Sequence, residues 1–219
     1  MERGSDTMAA RSQAISFLRF QLEQLSSQNA QHEFEHLCRH YTRHRICSNI
    51  LPATGPVQSG GDQGRDFETF RTYLASTSLS SSSFIGRIAE GPLAFGCTLQ
   101  KEGIGSKVKD DVTTMLASGT RIIGVHYFCT ADIPVAKRHE LEKWARDEKE
   151  IELNIHDGQA LAENLAAPDT FWIAVEFLHV PSDILPRNEQ LDDGYKDVLT
   201  NGSPRMRTRT ATAMRSLKS

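Results

Sequence analysis

The sequence predicts an α/β protein whose sheet is covered by helices on both faces, and two observations carry that prediction. Between Pro92 and Ala166, strand-like segments alternate with segments of helical period, the grammar of parallel strands joined by crossover helices. The middle strand of that series, RIIGVHYFCT, is nearly all apolar, as burial on both sides requires. The chain length of 219 residues suits one core with appended ends. A hydrophobic fraction of 38% is ordinary, and a net charge of −3 gives no bulk attraction to nucleic acid or membrane. Any anionic partner must therefore meet a local patch.

Taken in order, residues 1–12 read as a flexible N-terminus. From Gln13 to Tyr41 the period is helical, with Ile15, Leu18, Leu22 and Leu25 on one stripe and Phe34, Leu37, Cys38 and Tyr41 on another. Ser26 and Ser27 mark a break between two helices. RICSNILPATGP reads as a short strand closed by Pro52 and Pro56, and RDFETFRTYL as a second with Phe67, Thr69 and Arg71 on one side. The serine run from Ser76 to Ser83 reads as a solvated spacer. PLAFGCTLQ, RIIGVHYFCT and IELNIHD are then strands, alternating with the helices SKVKDDVTTMLASG, VAKRHELEKWARDEK and GQALAENLA. DTFWIAVEFLHVP fits a closing helix or a closing strand, with Trp172, Val175 and Leu178 in the core.

The folded core is thus expected over residues 13–182. Residues 183–219 form a polar, then basic, tail in which Arg205, Arg207, Arg209, Arg215 and Lys218 meet no acidic residue after Ser203. We read it as a linker rather than a nucleic-acid arm, and the whole as one module of a longer chain. Cys38, Cys47, Cys97 and Cys129 are widely spaced among apolar residues, and read as reduced, buried thiols of a cytoplasmic protein. No segment approaches the ~20 apolar residues of a membrane span.

The charged turn GGDQGRDFETF places an Arg-Asp pair where a loop becomes a strand. An acid there, an acid on the preceding helix and polar or basic residues ending the neighbouring strand can converge at a sheet edge, where carboxylates and waters hold Mg²⁺. FEHLCRHY, GGDQGRDFE and FGCTLQK followed by KVKDDV, in that order, resemble the Mrr-type branch of the PD-(D/E)xK restriction-endonuclease-like nucleases. The resemblance implies a three-layer fold with a central mixed sheet flanked by helices. It also implies Asp66 as metal ligand, Glu68 as a second or supporting ligand, and Glu35 as the acid of the first core helix. The third motif departs from the family pattern. Lys101 as the family lysine puts Leu99 at the acid position, whereas the other strand phase makes the motif Thr98-x-Gln100.

Since Gln and Thr carry no charge, a cation for the transition state would come from Lys101, Lys107 or Lys109. Arg65, Lys107 and Lys109 are the expected nucleic-acid contacts. The resemblance implies an Mg²⁺- or Mn²⁺-dependent endonuclease acting on double-stranded DNA. Such a domain must be restrained, which suggests the N-terminal effector of a bacterial antiphage defence protein with a sensor or NTPase domain in the same chain. Cutting both strands favours a homo-oligomer or two visits. The alternative is a degenerate module of the same fold that binds nucleic acid or protein without cutting.

Other features read more plainly. His32, His36, His40 and His44 recur every four residues among Arg39, Arg43 and Arg45, and suggest a basic surface facing phosphate rather than a metal-ligand column. His126 is expected as a satisfied core histidine, and Trp144 and Phe128 as core. KRHELEKWARDEKE is expected to be a solvated helix face.

Overall fold

A computed structural model describes residues 3–52, 65–69, 91–117 and 121–184. The expected serine spacer, the outer part of the GGDQG turn and the C-terminal tail lie outside these residues. The chain divides into two units, Met1–Leu185 and Pro186–Ser219, and the described residues all belong to the first. Its elements are α1 (Arg3–Ser27), α2 (Gln31–Arg45), β1 (Ile50–Pro52), β2 (Phe67–Thr69), β3 (Leu93–Thr98), α3 (Ile104–Ala117), β4 (Gly124–Cys129), α4 (Val135–Lys149), β5 (Glu152–His156), α5 (Gly158–Leu165) and α6 (Phe171–Leu178).

The strands form one open mixed sheet in the order β1-β2-β3-β4-β5. β1, β2 and β3 pair antiparallel, whereas β3, β4 and β5 pair parallel, as the strand–helix alternation predicts. Strand alternation then sorts the side chains into two cores. Phe67, Phe95, Cys97, Leu99 and Phe128 face one core, with Leu18 and Leu22 of α1, Leu37 and Cys38 of α2, and residues of α5 and α6. Ala94, Val125, Tyr127 and Cys129 face the other, with Val108, Val112 and Met115 of α3 and Leu141 and Ala145 of α4. These are the three layers of an α/β fold.

The ambiguous closing segment is a helix, with Phe171, Ile173, Ala174 and Leu178 as its buried side chains on one helical face. The break after α1 sits at Asn29, in the left-handed region with φ 53°, followed by the start of α2. Basic Arg43, His44 and Arg45 close the last turn of α2, where they offset the helix dipole. Among the described residues no helix is long and apolar enough to cross a membrane. The four cysteines are free and buried, as expected.

Candidate functional site

The Arg-Asp pair of the charged turn lands at the mouth of β2, and each member is committed to the fold. Asp66 N–H donates to the Phe95 carbonyl at 3.0 Å, and one carboxylate oxygen of Asp66 accepts from Cys97 N–H at 2.5 Å. β2 pairs with β3 only as far as Phe67 opposite Phe95. The Asp66 side chain thereby supplies the next rung of the ladder and satisfies a backbone donor that would otherwise face an unpaired edge. Arg65, read from sequence as a nucleic-acid contact, is only 3% exposed. Its guanidinium donates to Glu68 at 2.5 Å and to the Met115 carbonyl in α3 at 2.9 Å. It is a buried bridge, so Glu68, expected as a metal ligand, serves here as the partner of Arg65.

On one side of Asp66 stands α2. Gln31 donates both to the Cys97 carbonyl and to Glu35, each at 3.1 Å, so α2 and Asp66 grip the same residue of β3. The Cys38 and Cys97 thiols share a hydrogen bond in this corner. Burial pushes both up, with the charges of Asp66 and Glu35 adding in the same direction. These are inert, protonated thiols.

On the other side stand α3 and β4. Lys107 Nζ lies 2.7 Å from Asp111 Oδ1, and the Tyr127 hydroxyl donates to Asp111 Oδ2 at 2.6 Å. Tyr127 is paired in register with Gly96, next to the residue that Asp66 holds. A Cβ at Gly96 would come within 2.7 Å of Met115 Cε and 3.1 Å of the Tyr127 ring, so a larger residue there would displace the methionine end and push on the phenol ring. Burial raises the Tyr127 hydroxyl far above its ordinary range, and its bond to Asp111 acts the same way. Tyr127 was not among the residues expected from sequence. The available signal was a tyrosine in an otherwise apolar buried strand, whose hydroxyl needs a partner.

The third motif is placed differently from both strand phases. β3 ends at Thr98, and the Ser26 hydroxyl takes the Leu99 carbonyl at 2.8 Å. The chain then turns at Gly103 (φ +63°) into α3. Thr98 is buried and accepts from Gln100 N–H at 3.2 Å. Gln100 is exposed, with its side-chain amide on the Glu102 carbonyl at 2.5 Å, and Lys101 is exposed beyond it. Leu99, the alternative acid position, is buried in the apolar core. Lys109 leans toward α4, 3.8 Å from Glu140 and 5.4 Å above the Trp144 ring. The charge of Asp66 reaches the Cys38 and Cys97 thiols together with that of Glu35, and the Tyr127 hydroxyl together with that of Asp111.

Mg²⁺ is commonly held by one or two carboxylates with waters completing an octahedron. Asp66 and Glu35 are oxygen donors of that class, whereas both oxygens of Asp111 are taken by Lys107 and Tyr127. Among the described residues no group of three or more His, Cys, Asp and Glu side chains forms a metal cage. A site of one or two carboxylates centred on Asp66 fits such a hydrated ion.

Of the α2 histidines, His36 and His40 pack against α6, whereas His32 projects, with 79% of its side chain exposed. The His36 ring stacks on Phe177 and the His40 ring lies 4.9 Å from it. Arg39 stands 2.8 Å from His36 Nδ1, and His36 Nε2 stands 3.1 Å from His32 Nε2. A guanidinium only donates, so Arg39 takes the Nδ1 lone pair of His36. His126 and His156 form a stacked pair in the core, with ring nitrogens 3.0 Å apart. Burial holds their values down to about 4 and about 3, so both are neutral, as expected for His126.

No protein-family model, no curated protein and no solved structure matches this chain.

Proposed function

We propose that the chain is a metal-dependent endonuclease module of restriction-endonuclease-like fold that hydrolyses DNA phosphodiester bonds, restrained as an effector within a longer protein. The observation that supports it is the carboxylate of Asp66, held beside β3 by Cys97 N–H, where Gln31 of α2 grips the Cys97 carbonyl and bonds Glu35. The order helix acid, β2 acid, β3, basic helix is the one the motifs carry. Hydrolysis joins a water oxygen to phosphorus and releases a sugar oxygen, which leaves with its electron pair and takes up a proton. Mg²⁺ or Mn²⁺ bound at Asp66 would activate that water and neutralise phosphate charge. The chain's own share is to fix the carboxylates: Cys97 N–H orients Asp66, and Gln31 orients Glu35. The Lys107 ammonium stands ready for a phosphate oxygen.

A second reading has its own observation. Gln100 is turned to Glu102 and Lys101 lies beyond the strand, which favours a degenerate member of the fold that binds nucleic acid or protein without cutting. Incubation of the chain with supercoiled and linear plasmid in Mg²⁺, Mn²⁺ or EDTA separates the two. The nuclease shows metal-dependent nicking that Asp66→Ala abolishes, whereas Gln100→Ala, at an exposed side chain, reduces it less. A binder shifts DNA equally in EDTA and nicks under no condition.

A further inference from the structure

We propose that Tyr127, Asp111 and Lys107 form a positioning relay that presents the Lys107 ammonium to a nucleic-acid phosphate, taking the place of the lysine that β3 does not supply. This rests on the nuclease-fold reading of the same site and assigns it a cation and two positioning residues.

Three observations carry it. First, the relay is continuous: the phenol donates to one oxygen of Asp111 at 2.6 Å, and the other oxygen holds Lys107 at 2.7 Å. Second, exposure is graded along it. Tyr127 is buried, the Asp111 side chain is 21% exposed and that of Lys107 38%, so the anchored end is dry and the charged end is wet. Third, the pair runs against helix electrostatics. α3 has no acid in its first turn and places Lys107 near its positive end, with the acid C-terminal to the lysine, the less favourable order for a helix pair. Lys143–Asp147 of α4 has the same order, so it is the hydroxyl from the sheet below that sets the Lys107–Asp111 pair apart. The competing lysines are less suited. Lys109 stands 3.8 Å from Glu140, an exposed acid that Lys137 also holds, and Lys101 forms no ion pair among the described residues.

Asp111 and Tyr127 act through Lys107. With its second oxygen fixed by the phenol, Asp111 limits the rotamers of a flexible lysine, which then meets a phosphate at lower entropic cost. The Gly96 position completes the arrangement, because a side chain there would push the ring off its line to Asp111.

The test uses the full chain as wild type, Lys107→Met, Lys107→Arg, Asp111→Asn and Tyr127→Phe, each checked for an unchanged melting profile. Binding of a labelled DNA duplex is followed in EDTA across a salt series. Lysine ammonium groups are followed by ¹H–¹⁵N NMR, with the Lys107 signal assigned by its loss in Lys107→Met. The relay predicts that duplex shifts the Lys107 signal, and that Lys107→Met flattens the log–log salt slope by about 0.9, one phosphate contact, while Lys107→Arg restores it. Tyr127→Phe and Asp111→Asn should broaden the Lys107 signal. Where the chain cleaves, Tyr127→Phe should lower kcat about 10-fold with KM unchanged. An unmoved Lys107 signal with an unchanged slope in Lys107→Met overturns the proposal. A Lys107 signal and kcat indifferent to Tyr127→Phe and Asp111→Asn overturns the relay. If wild type binds but never cleaves, the nuclease reading fails, and the salt slope and ammonium signal still decide the relay.

Discussion

α3 and α4 lie on the same face of the sheet, and each carries a Lys–Asp pair one turn apart. Lys143–Asp147 closes at 2.8 Å and Lys107–Asp111 at 2.7 Å, with the lysine N-terminal to the acid in both. The α4 pair ends in solvent, with side chains 76% and 50% exposed, whereas the α3 pair is continued into the sheet by Tyr127. Two pairs of one pattern thus have different surroundings, and the difference comes from what the strand beneath supplies. Spacing along a helix marks a pair; the third partner decides whether it is anchored.

The comparison can be tested most sharply by removing the two lysines in turn. On the proposed nuclease, Lys107→Met is expected to lower kcat/KM by about 10²-fold, and Lys143→Met to leave it unchanged. Equal losses would show that general surface charge, rather than the anchored pair, matters. Acid is the next largest lever, and it acts through the opposite core. Unfolded histidine titrates near pH 6.5, whereas burial holds His126 at about 4 and His156 at about 3. Between those values the unfolded chain binds more protons. The stability from neutral imidazoles is therefore full above pH 6.5 and is lost as pH falls toward 3. Urea midpoints should drop steadily from pH 6.5 to 4, and a flat profile would count against the buried pair.

A smaller effect is expected at the glycine beneath the phenol. Gly96→Val should cost about 1–3 kcal/mol by overpacking against Tyr127 and Met115, read as a lowered urea midpoint. It should also broaden the Lys107 ammonium signal, which a change on α4 would leave alone. Smallest is Lys143→Met itself. An exposed ion pair contributes about 0–1 kcal/mol, so the midpoint should barely move.

The parallel half of the sheet was legible because the period of apolar residues switches cleanly between strand and helix from Pro92 onward. The closing segment was not, since FWIAVEFL is apolar at nearly every position and carries no period of its own. Asp66 and Glu35 were legible as site candidates through the turn and the helix acid. Gln100 and Lys101 were placed by extending strand alternation two and three residues past Thr98. The sequence does not show that the Ser26 hydroxyl takes the Leu99 carbonyl and that the chain turns away. Arg65 read as a surface cation because its neighbours are charged, and its burial depends on a carbonyl fifty residues later in α3. Tyr127 was hidden among apolar strand residues.

The planar guanidinium of Arg65 spans from Glu68 on β2 to the Met115 carbonyl in α3. It behaves as a ruler as well as a bond. The fork is rigid, so it sets the spacing between strand and helix, and Lys107 stands two turns back along that same helix. The reach of the ammonium is therefore measured from a residue that never touches it. A lysine at position 65 would keep the charge yet replace the ruler with a flexible tether.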